Sequence, residues 1–237
     1  MLPDWQPSKL AEAIGAALGM GYLEPWLLAT ILNPAALPEY WHRDRNLRIE
    51  EMVCTTFVSE LDAELSIVFR GRNEATSPVT SCPMLMFGGS VLHWTNIPGN
   101  ETTVRRTSEA PVLMSCRSLI DTGQFQLIDM IFPVPLRPGE EFEIEQKHLW
   151  PTGMAAGEDT LWYPYPALFS RNTGSVVARV HFDRAVRYIL ALEGRPVDAE
   201  CQVGMLQPTD LDGTARSFEW RIDPVDNTLI YGLAFDR

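Results

Sequence analysis

The sequence predicts a mainly β protein, an antiparallel β-sandwich in one large or two small units, with a short helical N-terminal cap. Three observations predict it. Apolar residues alternate with polar ones over most of the chain. The pattern is clearest where Val176, Ala178, Val180 and Phe182, then Phe218, Trp220 and Ile222, then Leu229, Tyr231, Leu233 and Phe235 each hold one phase. A period of two puts each set on one face of a half-buried strand. Turn chemistry punctuates these runs, with Ile-Pro-Gly-Asn at 97–100, Arg-Pro-Gly at 137–139, Asn-Thr-Gly at 172–174, Asp-Gly at 212–213 and Asp-Asn at 226–227. Residues 1–42 break the alternation and read as helical.

In that opening segment Ser8 can cap a helix whose Leu10, Ile14 and Leu18 share a stripe, ended by Gly19 and Gly21. A second short helix fits Leu23 to Leu32, with Pro25 in its first turn and Asn33-Pro34 as its stop. Trp5, Trp26 and Trp41 give the segment more apolar surface than so short a piece can bury alone. It is expected to pack on the β body or on a second subunit. The organisation is therefore a cap over 1–42 and a β body over 43–237, with a subdivision near 100 as the alternative to a single unit.

Within the body, 47–58 and 65–70 are the first strands, and Leu65, Ile67 and Phe69 face inward. Further strands are expected at 82–94, 101–107, 111–119, 124–133 and 140–147. After a loop centred on Gly153 to Asp159 come 160–169, 175–183, 186–193, 199–206, 215–222 and 228–235. Strands this many and this short are the mark of a sandwich or barrel.

Composition narrows the function classes. The chain has 237 residues, 46% of them hydrophobic and 21% charged, enough apolar content for a sizeable core. Its formal net charge is −12, which disfavours bulk binding to phosphate backbones or anionic lipid. His42, Arg43, Arg45 and Arg48 form the best basic cluster. Cys54, Cys82, Cys116 and Cys201 make no CxxC pair, so the zinc-ribbon pattern is absent. There is no signal-peptide pattern at the N-terminus, and no apolar run reaches the ~18 residues of a membrane span. The expectation is a cytoplasmic protein with reduced thiols and no membrane contact.

Candidate chemistry is sparse. No GxSxG, phosphate-cradling loop or patterned Cys-His pair is present. Residues 136–148 resemble a cupin metal motif, in which a Pro-Gly turn opens a strand and a nearby His binds metal, and Gly89, His93 and Glu101 imitate part of the first cupin motif. The resemblance implies His93, Glu101 and His148 as ligands of one divalent transition metal, although Thr95 stands where that motif's second His belongs. Glu141, Glu143 and Glu145 could bind a hard cation in a row, or form a solvated strand face that discourages edge pairing. His181 alternates outward from Val180 and Phe182. Asp210-Leu-Asp-Gly213 carries a fragment of a calcium loop, and a tight turn explains it better. The least ordinary cluster is Trp162, Tyr163 and Tyr165 in Trp-Tyr-Pro-Tyr-Pro, with Trp150 nearby. Stiffened aromatics of this kind line ligand or peptide grooves, or tuck into a core.

From about residue 101 onward the order of features resembles a β domain of uncharacterised actinobacterial proteins. Arg105, Arg106 and Thr107 lead to a DxGxFxxxD strand (Asp121, Gly123, Phe125, Asp129). A PLxxGE turn follows (Pro135, Leu136, Gly139, Glu140), then a VxFD strand (Val180, Phe182, Asp183) and a last strand centred on Tyr231. That resemblance implies a sensor or assembly role, since the domain there often accompanies a helix-turn-helix or signalling module. It implies no catalytic residues. Lys9 is the one basic residue in 8–32, too few to grip DNA.

Three functions follow as expectations. The first is a non-enzymatic binding or regulatory module without cofactor, using Trp150, Trp162, Tyr163 and Tyr165 on a protein or small-molecule partner, with homo-oligomers formed through the N-terminal segment. The second is a cupin-like or barrel-type metal enzyme using His93, Glu101 and His148. The third is a structural assembly subunit.

Overall fold

The computed structural model describes residues 47–59, 62–87, 100–107, 109–121, 125–150, 160–163, 174–194, 201–209, 214–225 and 230–235. The proposed cap over 1–42 lies outside them. The described residues are mainly β. In chain order the strands are β1 (Leu47–Val58), β2 (Ala63–Asn73), β3 (Val79–Phe87), β4 (Glu101–Arg106), β5 (Val112–Leu113), β6 (Ser115–Asp121) and β7 (Phe125–Leu136). They continue with β8 (Glu141–Trp150), β9 (Thr160–Tyr163), β10 (Ser175–Phe182), β11 (Ile189–Gly194), β12 (Cys201–Met205), β13 (Ser217–Ile222) and β14 (Ile230–Phe235).

The strands form a seven-stranded sheet in the order β13-β10-β1-β2-β8-β4-β5, a four-stranded sheet β12-β11-β14-β9 and a three-stranded sheet β3-β7-β6. The large sheet takes strands from both sides of residue 100. The antiparallel expectation meets one exception, because β1 and β10 run parallel, with Met52 opposite Val176 and Val58 opposite Phe182. Period-two patterning is blind to strand direction. The chain reaches β10 from β8 by way of β9 in the four-stranded sheet, and enters the large sheet on the side of β1 away from β2, alongside and parallel to β1.

Two departures from plain alternation show why the strands bend where they do. In β1 the buried phase moves from Leu47 and Ile49 to Met52, Cys54, Thr56 and Val58. The ladder to β2 slips at that point, Ile49 facing Gly71 and Glu51 facing Arg70, so Glu50 is the extra residue of a bulge. Glycine lies on both sides of it. A Cβ on Gly71 would collide with the Arg48 carbonyl oxygen, and one on Gly174 would sit 2.6 Å from that of Glu50. The second departure is the expected strand 111–119. It divides at the buried Met114, β5 pairing with β4 in the large sheet and β6 with β7 in the three-stranded one.

The inner face of the large sheet packs against both smaller sheets. Phe132 of β7 meets Phe142 of β8 edge-on at 6.2 Å. On the other side Phe182 meets Phe235 at 4.9 Å and Trp220 meets Tyr231 at 5.8 Å. One apolar cluster runs through all three sheets, from Leu47 and Ile67 to Ile128 and Leu233. Burying each such side chain contributes roughly 1.5–3 kcal/mol, and this is what holds the layers together.

The outer face of the large sheet is a charge ladder. Neighbouring strands place Arg105, Glu143, Arg70 and Glu51 side by side in register. Arg70 donates to Glu143 at 2.7 Å and to Glu51 at 2.6 Å, and Arg105 donates to the other Glu143 oxygen. Arg221 reaches from β13 toward Glu51, 3.9 Å away, across β10. Val177 is fully buried on β10 yet stands outside the apolar cluster, beneath that bridge.

Candidate functional site

Strand β8 continues its inward phase past Phe142 and Ile144 to Gln146 and His148, both fully buried. Only the apolar members of this face stand out in the sequence. The same parity carried two positions further would have found Gln146. Direct cross-strand neighbours place Thr102 of β4 beside Gln146 and Leu65 of β2 beside His148. Facing them, Cys82, Met130 and Cys116 are in register across the three-stranded sheet.

The two surfaces meet at Gln146. Its Nε2 donates to Met130 Sδ at 3.0 Å and lies 3.5 Å from Thr102 Oγ1. Thr102 also bonds to Cys116. Gln146 Oε1 and Thr56 Oγ1 are buried acceptors with no partner among the described residues. The interior between the sheets thus holds a polar seam of amide, hydroxyl, thiol and imidazole inside an apolar core.

Burial sets the protonation of this seam. It pushes His148 down to about 3, so the ring is neutral at physiological pH. It pushes the Cys54 thiol up to about 12. Cys116 is also raised, first by burial and then by the nearby Asp129 carboxylate, against an opposing hydrogen bond from Thr102. Such thiols are poor nucleophiles, because the thiolate is the reactive form. His148, with its proton affinity this low, cannot serve as a general base near neutrality.

The residues picked for a metal do not converge where they are described. Glu101 is exposed on β4, opposite the outward Lys147, whereas His148 points into the core. The two occupy opposite faces of one sheet, a consequence of odd and even positions along paired strands. His93 lies outside the described residues. Among the described residues no three His, Cys, Asp or Glu side chains group to hold a metal ion.

The other candidates resolve into structure. The Pro-Gly turn before β8 is a corner joint. Gly139 has φ 77°, in the left-handed region, and its N–H donates to the Asn73 carbonyl at 2.7 Å. The Asn73 side chain donates to the Leu136 carbonyl at 2.9 Å. Glu140 accepts from the Arg137 N–H at 2.6 Å and from Arg106 at 3.1 Å. Arg106 also donates to the Val134 carbonyl. Asp129 is buried and ion-paired to the exposed Arg117 at 2.9 Å. Glu143 is held below its usual range: burial pushes it up, but the hydrogen bonds and charges of Arg70 and Arg105 together outweigh that. His181 is on the outer face, stacked on Phe57 at 4.8 Å and 3.0 Å from Ser217 Oγ.

Of the aromatic cluster, Trp150 ends β8 opposite Ala63 in the large sheet. Trp162 and Tyr163 belong to the four-stranded sheet, opposite Gly232 and Tyr231 of β14. Tyr165 and the Asp210–Gly213 turn lie outside the described residues.

No family model and no curated protein sequence matches the chain. Among solved structures it is similar to an M1 zinc metallopeptidase from Deinococcus radiodurans, at 11% identity and TM-score 0.45, over 80% of this chain and 42% of that one. A mutant of that enzyme bound to a Tyr-Ser-Ala substrate matches at 12% identity and TM-score 0.44, over 80% and 43%. The chain spans less than half the length of these structures. At that identity and TM-score no activity, metal or substrate passes to it.

Proposed function

We propose that this chain is a non-enzymatic binding or regulatory module on a β-sandwich body, the large sheet forming one layer and the two smaller sheets the other. It acts in the cytoplasm on a protein or small-molecule partner rather than on nucleic acid or a membrane surface, and needs no cofactor. The observation that carries this reading is that four described groups chemistry could use are held in unreactive states. Cys54 and Cys116 are held as thiols, His148 is held neutral in the core, and Glu143 is occupied by two arginines. The reduced state of Cys54, Cys82 and Cys116 accords with a reducing compartment. No helix among the described residues is long and apolar enough to cross a membrane. The partner surface is assigned to Trp150, Trp162, Tyr163 and Tyr165. A regulatory role also accords with the actinobacterial domain that residues 101–237 resemble.

The test is elemental mass spectrometry of the purified chain beside His148→Ala, followed by partner capture with wild type and the Trp162→Ala/Tyr163→Ala double variant. The module predicts no stoichiometric metal, and a partner lost from the double variant at unchanged melting temperature. Near-stoichiometric metal that vanishes in His148→Ala would overturn it in favour of a metal-dependent enzyme.

A further inference from the structure

We propose that the outer face of the large sheet carries a docking slot for an arginine side chain of a protein partner, built by Phe57, Glu64 and Leu149. It does not draw on the aromatic segment assigned above. Direct cross-strand neighbours place Ser217, His181, Phe57, Glu64 and Leu149 in one row across β13, β10, β1, β2 and β8. The row departs from the charge ladder on the same face. There Arg70 bridges Glu51 and Glu143. Here a carboxylate stands between two exposed apolar side chains, Phe57 at 50% and Leu149 at 38%. Large apolar side chains flanking a polar group in this way mark contact surfaces more often than solvated ones.

The row has a defined shape. His181 stacks on Phe57 with ring centroids 4.8 Å apart and planes 19° apart, and its Nδ1 lies 3.0 Å from Ser217 Oγ. That stack occupies the Phe57 face turned toward β10. The other face of the ring is turned toward β2, where Glu64 is the next residue of the row. Leu149 stands one strand further on, about 10 Å from Phe57. Its N–H donates to Asn100 Oδ1 at 2.7 Å, which ties down that end of β8.

Charge selects the occupant. Glu64 has no ion pair among the described residues. The cations of the neighbouring row are engaged, Lys147 with Glu145 at 3.6 Å and Arg179 with Glu219 at 2.8 Å. A carboxylate beside an aromatic face favours a cation, and a chain of net charge −12 attracts one. Arginine fits better than lysine. Its planar guanidinium can lie on the Phe57 face and turn its N–H edge to Glu64, while its methylenes cover Leu149. The chain's own basic run does not reach the slot. It joins β1 at Leu47, about 33 Å along the strand from Phe57, too far for Arg43 or Arg45 to fold back. The arginine therefore comes from a partner.

The test is a titration of the full chain with the capped peptide acetyl-Leu-Arg-Leu-amide, followed by amide chemical shifts in nuclear magnetic resonance. Saturable shifts are expected at Phe57, Glu64, Leu149 and His181. The same peptide with citrulline for arginine, which keeps the shape and loses the charge, should bind at least about tenfold more weakly. Glu64→Gln should weaken the arginine peptide by about tenfold and Phe57→Ala by about threefold. Both side chains are exposed, so neither variant should disturb the fold. Glu141→Gln is the control, because it removes the same charge from the same face at the far end of β8. It should leave binding within about twofold. Absence of saturable shifts in this row overturns the proposal. So does equal binding of the citrulline peptide, indifference to Phe57→Ala, or a loss in Glu141→Gln as large as that in Glu64→Gln, which would be bulk charge alone.

Discussion

The two faces of strand β8 differ by one position along the chain and have opposite chemistry. Outward, Glu143 is ionised, gripped by Arg70 and Arg105, and in reach of water and salt. On the inward face of the same strand, Ile144, Gln146 and His148 are fully buried, and the imidazole is forced neutral. The difference teaches that position in the pleat, more than residue type, decides what a titratable group can do here. A histidine that could serve as base or ligand on the outer face is a neutral packing element on the inner one.

The largest way to break this contrast is acid. His148 has a depressed folded value, about 3 against an ordinary 6.5, so the unfolded chain binds the extra proton. Its contribution is fully present above about pH 6.5 and is lost as pH falls toward 3, by up to about 5 kcal/mol in all. Glu143, also depressed, loses its contribution only below its ordinary 4.5. Of these two groups, only His148 acts in the window from 6.5 to 4.5. Urea unfolding of wild type and His148→Gln across that window should show a steeper loss in wild type. Parallel curves would mean the ring is not held neutral.

A smaller effect is expected from Ile144→Ala, which opens a cavity where β8 packs between β2 and β4. It should cost about 3 kcal/mol in urea titrations with no change in the salt dependence of stability. The smallest is expected on the other face. Glu143→Gln should cost less than about 1 kcal/mol, because exposed ion pairs are screened, and the cost should shrink further in high salt. A Glu143→Gln penalty equal to that of Ile144→Ala would erase the distinction between the faces.

Several features are legible in the amino-acid pattern. Strand β10, expected at 175–183, is found at Ser175–Phe182, and the strand expected at 215–222 is β13 at Ser217–Ile222. The outward setting of His181 and of the 141–145 carboxylates follows from parity alone. Strand β7 reads short, to 133. Its ladder to β3 nevertheless runs to Leu136, past a register shift that leaves 132–135 without β3 partners. The division at Met114 is also hidden, since 111 to 119 read as one continuous strand.

The candidate site is less legible. Glu101 and His148 look compatible as ligands because each residue type can bind metal. Only their ladder, Glu101 opposite Lys147, shows that they sit on opposite faces. The seam of Gln146, Thr102, Met130 and Cys116 joins residues distant in sequence, and no local motif marks it.

The amino-acid order alone settles much of what is local: where most turns fall, which residues of a strand share a face, that the fold is mainly β, and that the bulk charge is negative. Tertiary structure decides what is non-local: the parallel β1–β10 pair, the division into three sheets, the arginine clamp on Glu140 and the neutral state of His148. The reason is physical. Side-chain alternation is a property of a strand's own backbone, whereas strand partners, desolvation and ion pairing depend on segments that meet only after the chain has folded.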